Sequence, residues 1–199
     1  MIQPTGKIRR TACALLLLAV GWMASAAQAF DAGNGPQRGT HTATGTIQVA
    51  FTPGDNATWL IVDAIQKARH QVLVMAYSFT SRNIAVALIA ARQRGVDVQL
   101  IADPRQAKSV GHSLVDEIAA AGVPTFFDDQ HDSAHNKVML IDGGGQNAVV
   151  ITGSFNFTQA AQQRNAENLL LIRGNPSLTA AYLDNWRQHR AHAVAFRYK

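Results

Sequence analysis

His135-Asn136-Lys137, followed by Asp142 and then by Gly153-Ser154-Phe155-Asn156, groups an imidazole, a fixed positive charge and short polar side chains within strand-like sequence. Cleaving a phosphodiester needs a nucleophile, neutralisation of the phosphate oxygens and a proton for the leaving alkoxide. A neutral imidazole can attack phosphorus while Lys137 and Asn156 hold the developing charge. The covalent phosphohistidine route divides one difficult displacement into two easier ones. The leaving oxygen calls for an acid titrating near ambient pH, for which histidine is the natural side chain. One imidazole cannot be nucleophile and protonated acid in the same step, so a second histidine is required.

Side chains alternate faces along a strand. His135 and Lys137 therefore share a face, whereas Asp142 has the opposite parity and is expected to fix the backbone or the turn at Gly143. Ser154 and Asn156 share a parity, so both can reach one cluster of phosphate oxygens.

The elements that must position these groups alternate in type. Thr46 to Phe51 reads as a strand, and Asp55 or Asn56 can cap a helix carrying Leu60, Ile61, Ala64, Ile65 and Ala68. Gln71 to Phe79 is an apolar run suited to a buried strand; a helix runs from Ser81 or Asn83 through Arg94, and Val96 to Ala102 is the next strand. Ser113 to Ala121 reads as helix and Val123 to Phe127 as a short strand. Lys137 to Ile141, Ala148 to Thr152 and Asn168 to Ile172 are closely spaced strands, and a last helix covers Ser177 to His192 after Pro176. The rhythm is that of an α/β protein: a mixed, mostly parallel sheet with helices on both faces. Short connections around Gly143-Gly144-Gly145 imply some antiparallel pairing.

His135-x-Lys137 with Asp142, followed by Gly153-Ser154-x-Asn156, resembles the HxKxxxxD signature of the phospholipase D superfamily. Gly153 to Thr158 (GSFNFT) and Asn165-Ala166-Glu167-Asn168 are similar to its small, single-motif secreted bacterial endonucleases. The likeness extends upstream through Val72 to Phe79 and Gly95 to Asp103. The spacer from Gly143 to Thr152 is longer than usual. The resemblance implies that His135 is the nucleophile in one subunit and the general acid in the other. It also implies that Lys137 and Asn156 bind phosphate with support from Ser154, that Glu167 accepts a hydrogen bond from His135, and that Asp142 is mainly a structural member of the catalytic signature. No metal or other cofactor is implied. Larger members carry the motif twice. Here none of His41, His70, His112, His131, His189 and His192 begins another HxK, so a homodimer is expected to bring two copies of His135 together.

Lys7, Arg9 and Arg10, the apolar run Ala12 to Met23 and the small residues up to Ala29 read as a signal peptide, 1–29, implying periplasmic or secreted residence and no stable membrane insertion after cleavage. Residues 30–45 read as a flexible leader and 46–199 as a single domain. The chain has 18 Lys+Arg against 13 Asp+Glu, a net +5 that falls to +2 without the three basic residues of the signal peptide. Such a charge is compatible with nucleic acid without arguing for it. Cys13 is the only cysteine, so the mature chain makes no disulfide.

His131, Asp132 and His135 do not read as zinc ligands, because they lie in a loop with no cysteine beside them. His189 and His192 are expected to be exposed, and Phe155 and Phe157 to be core. Arg82, Arg105, Lys108 and Arg164 are candidates for a nucleic-acid groove. The expected activity is metal-independent, nonspecific cleavage of DNA, with RNA as a further substrate. The rival is phospholipid hydrolysis or transphosphatidylation by the same groups, which calls for an exposed apolar loop; Val123 to Phe127 is the one candidate and reads better as a strand.

Overall fold

The computed structural model describes residues 39–197. The expected signal peptide and the first part of the leader lie outside them. The described end of the leader is tied down: Thr44 donates to the Gly174 carbonyl, and Asn175 donates to the Thr42 carbonyl.

An eight-stranded sheet runs in the order β1 (Thr46–Thr52), β7 (Glu167–Arg173), β6 (Val149–Gly153), β5 (Lys137–Ile141), β2 (Gln71–Ala76), β3 (Asp97–Ala102), β4 (Thr125–Phe127), β8 (Val194–Ala195). The sheet is mixed, as expected, but it is not mostly parallel. Only β2–β3 and β3–β4 pair in parallel, and the other five pairings are antiparallel. The reason lies in the connections. A parallel pair needs a long crossover, and the chain has only the turn at 142–148 between β5 and β6, and the short segment carrying the five-residue helix α5 (Gln159–Gln163) between β6 and β7.

Residue alternation divides the core between two faces. Val72, Val74, Met139, Ile141, Leu169 and Leu171 pack beneath α1 (Ala57–Gln66) and α2 (Arg82–Gln93), which bury Ile61, Ile65, Ile84 and Leu88. Leu73, Met75, Val138, Leu140 and Val150 pack on the other side against Trp186 of α6 (Pro176–His192). Asn56 caps α1 through Trp59 N–H, while Ser81 stands at the start of α2 without a side-chain cap. Two short helices, α3 (Pro104–Ser109) and α4 (Val115–Ala120), complete the fold. Among the described residues no helix is long and apolar enough to cross a membrane. Val123 and Phe126 are buried, so the one loop considered for lipid insertion is part of the core.

The strand order reverses at β2: β3 and β4 extend the sheet to one side, β5, β6 and β7 to the other. The chain leaving β4 must therefore cross the carboxyl ends of β3 and β2 before β5 can begin. His135 lies at the end of that crossing, where open α/β sheets characteristically bind ligands.

Candidate active site

The crossing loop is held from below. Asp103, 2% exposed at the end of β3, caps α3 through Gln106 N–H and with its other oxygen accepts Ala134 N–H at 2.9 Å. Arg105 donates to the Asp132 carbonyl, and Tyr77 N–H donates to the Asn136 carbonyl. These bonds fix the backbone on both sides of His135, whose side chain faces solvent.

Lys137 opens β5 opposite Ala76 and is buried, on the face shared by Met139 and Ile141. Its Nζ lies 2.9 Å from His135 Nδ1 and donates to the His135 carbonyl at 2.7 Å. The ammonium also sits 4.7 Å from the centre of the Tyr77 ring, which tilts against the imidazole at 4.2 Å between ring centres. Burial lowers the Lys137 pKa to about 8, while the nearby Glu167 charge opposes the fall. A charged Lys137 has no lone pair to accept with, so Nδ1 of His135 must accept, leaving the imidazole proton on Nε2.

Glu167, at the start of β7, accepts from Ser154 Oγ at 2.6 Å and from Asn165 Nδ2 at 3.0 Å. The sequence reading gave Glu167 a bond from His135; in the single chain Ser154 and Asn165 take that carboxylate and Lys137 occupies Nδ1. Ser154 Oγ also accepts Asn168 N–H, and Ser154 N–H donates to the Asn168 carbonyl. This close strand approach requires Gly153: at φ +149° a Cβ there would lie 2.3 Å from the Asn168 carbonyl oxygen. Phe155 and Phe157 are core residues, as expected. Between them Asn156 has a buried Oδ1 with no hydrogen-bond donor.

Asp142 stands at the opposite end of β5 from Lys137. In the left-handed region (φ 52°), its carboxylate accepts the backbone N–H groups of Arg69, His70 and Gln71. Burial would raise its pKa, but these three bonds bring it below the usual carboxylate value. Asp142 is thus removed from His135 and anchors the start of β2, as its parity implied. The long spacer is absorbed in the turn: β5 and β6 pair in register from Met139–Ile151 to Ile141–Val149, and Ser154 keeps its contact with Glu167.

Of the basic groove candidates, Arg82 is ion-paired with Glu117 and Arg105 is engaged with the loop. His189 and His192 are not exposed as expected. Both half-buried rings converge with His131 on Asp128, the latter 1% exposed. The sequence reading missed Tyr77, Asp103 and Asp128. Tyr77 and Asp103 terminate the apolar strands β2 and β3, and a polar residue at a strand's carboxyl end was the available signal.

A solvent-facing imidazole backed by a buried ammonium, beside a carboxylate–hydroxyl pair, is a site for attack on an anionic phosphoryl group. The family model for the cardiolipin synthase, PLD-like domain matches residues 61–189. The phospholipase D of Rickettsia bellii is 39% identical over 145 residues, covering 73% of this chain and 69% of the relative. The chain belongs to the phospholipase D family and is a phosphodiester-acting member of it. The fold is similar to that of Nuc, a phospholipase D family member from Salmonella typhimurium, with TM-score 0.71 and 36% identity over 76% of this chain and 98% of that one. NucT from Helicobacter pylori shares the fold at TM-score 0.66 and 22% identity, over 76% and 99% of the two chains.

Proposed function

We propose that the protein is an exported phosphodiesterase that cleaves DNA, and RNA as a further substrate, without a catalytic metal, at an active site completed by a second copy of the chain. The observation that carries this reading is the exposed His135 imidazole held 2.9 Å from the buried Lys137 ammonium. Nε2 of one His135 attacks phosphorus; the P–N bond forms as the P–O bond breaks, and the leaving oxygen takes its proton from His135 of the second copy. Water then attacks the phosphohistidine, gives its proton to that second imidazole and releases the phosphate product. Lys137 and Asn156 bind the phosphoryl oxygens, Ser154 supports that contact, and Glu167 steadies the nucleophilic imidazole.

With Nδ1 accepting from Lys137 the imidazole is neutral and carries its proton on Nε2; the acid needs both nitrogens protonated, and the nucleophile needs Nε2 free with Nδ1–H bonded to a carboxylate. A phosphate drawing Lys137 away would release Nδ1 for that exchange. Ile47, Val49 and Phe51 form an exposed apolar row on the edge strand β1, ending at Phe51 beside Asn168, which offers a surface for the second copy.

Phospholipid cleavage is the second reading, favoured by the name of the Rickettsia relative. The deciding experiment incubates purified mature protein in excess chelator with plasmid DNA, structured RNA and phosphatidylcholine vesicles. Nucleic-acid cleavage is expected; lipid turnover without it would replace the first reading with the second. Mixed dimers of wild type and His135→Asn should be nearly inactive, and half activity would rule out a shared site.

A further inference from the structure

We propose that Asp128, His131, His189 and His192 form a structural site for a tetrahedral divalent transition-metal ion, with zinc the best match, that clamps the loop carrying His135 to the last turn of α6. The topology builds the cluster. Phe127 pairs with Val194 across β4 and β8, which brings Asp128 next to the end of α6. His192 is there, and His189 lies one turn earlier on the same helix face. His131 reaches the same carboxylate from the crossing loop.

His131 Nδ1 is 3.0 Å and His192 Nε2 3.1 Å from Asp128 Oδ1, and His189 Nδ1 is 2.6 Å from Oδ2. One ligand atom from each of the four side chains can be chosen so that all lie within 4.8 Å of one another. The three imidazole centres form a near-equilateral triangle of 5.1, 5.5 and 5.5 Å. Zinc–ligand bonds of about 2.0–2.1 Å place tetrahedral donors roughly 3.3 Å apart, so movements of a few tenths of an ångström up to about 1 Å would admit the ion.

His192 discriminates a metal site from a carboxylate merely ringed by imidazoles. Its Nε2 is buried and within ion-pair distance of Asp128, yet the angle is not that of a hydrogen bond. A bound cation would give that atom a partner for its lone pair. The carboxyl end of α6 also favours positive charge. Three nitrogens and one oxygen, with no thiolate, suit zinc over calcium or magnesium, and four protein ligands make a closed structural site.

The test loads the purified full chain with zinc sulfate, removes excess by gel filtration and measures bound metal by mass spectrometry. One zinc per chain is expected, with the thermal midpoint rising by about 5–10 °C at free zinc about 100 times Kd. Loss of even an outer partner costs 10–100-fold in affinity, so His189→Gln/His192→Gln should weaken zinc binding at least about 100-fold. If that variant misfolds, His131→Gln, altering a ring on a surface loop, gives the same reading. Cobalt substitution should give the intense visible bands of a tetrahedral centre. Wild-type protein that retains no zinc, or variants that retain it equally, would overturn the proposal. Because bound metal is read without turnover, a loaded protein inactive on nucleic acid would count only against the proposed function.

Discussion

Two histidine centres flank one loop, and their surroundings are opposite. His135 is exposed, lies beside the Lys137 cation and has no carboxylate bonded to it among the described residues. His131, His189 and His192 are half-buried around a carboxylate that is 1% exposed. Burial would raise the Asp128 carboxyl, but its contacts with the histidines, His189 foremost, more than offset this and hold it at about 2. The first centre is open and polarised toward an anionic substrate; the second is closed around its carboxylate. The same side chain is thus arranged for chemistry in one place and for holding the chain together in the other.

The largest separation between them should appear at His135. His135→Asn is expected to lower kcat by about 10⁴-fold or more while leaving the protein folded and its oligomeric state unchanged, measured by turnover and sedimentation. Substantial residual turnover would remove the imidazole from the nucleophile role. Lys137→Met should cost roughly 10²–10³-fold, as loss of a group stabilising developing charge does. Its lowered pKa gives the wild type a falling limb in kcat/KM near pH 8, because the ammonium loses its proton there. Lys137→Arg should abolish that limb even where activity is reduced, since guanidinium stays charged.

A smaller effect on turnover, and a clear one on stability, is expected at Asp142. Asp142→Asn should destabilise the fold by about 2–3 kcal/mol through weakened bonds to three backbone N–H groups, measured by denaturant unfolding. The folded carboxyl titrates below its unfolded value, so this contribution is present above about pH 4 and disappears as pH falls through the folded pKa. The smallest effect sharpens the comparison: His189→Gln/His192→Gln, if folded, should keep activity within about tenfold of wild type and unaltered by chelator, because its histidines touch no substrate. A loss equal to that of His135→Asn would merge the two centres into one.

Much of the first centre was legible in the sequence because strand alternation is a local rule. Parity paired His135 with Lys137 and assigned Asp142 to the backbone, and both hold in the fold. Sheet direction was less legible. The apolar runs at Lys137–Ile141, Val149–Gly153 and Glu167–Arg173 look alike whichever way they point, and only their short connections betray the antiparallel pairing. The second centre was hidden for a different reason. Asp128 and His189 are brought together by a two-residue strand, Val194–Ala195, too short to carry a periodic signal. The bond expected between Glu167 and His135 is not made within the single chain, where Ser154 and Asn165 donate to the carboxylate.

Strand β5 acts as a measuring rod. Lys137 and Asp142 stand at its two ends, about 17 Å apart at the usual rise per residue, so the gap in the motif records the length of the strand between the reacting end and the anchored end. A one-residue insertion in β5 would turn Lys137 to the wrong face. A two-residue insertion would restore the face but overshoot the Arg69–Gln71 backbone by about 7 Å. The aspartate therefore serves as a length standard: it determines how far from the Arg69–Gln71 backbone the histidine is held.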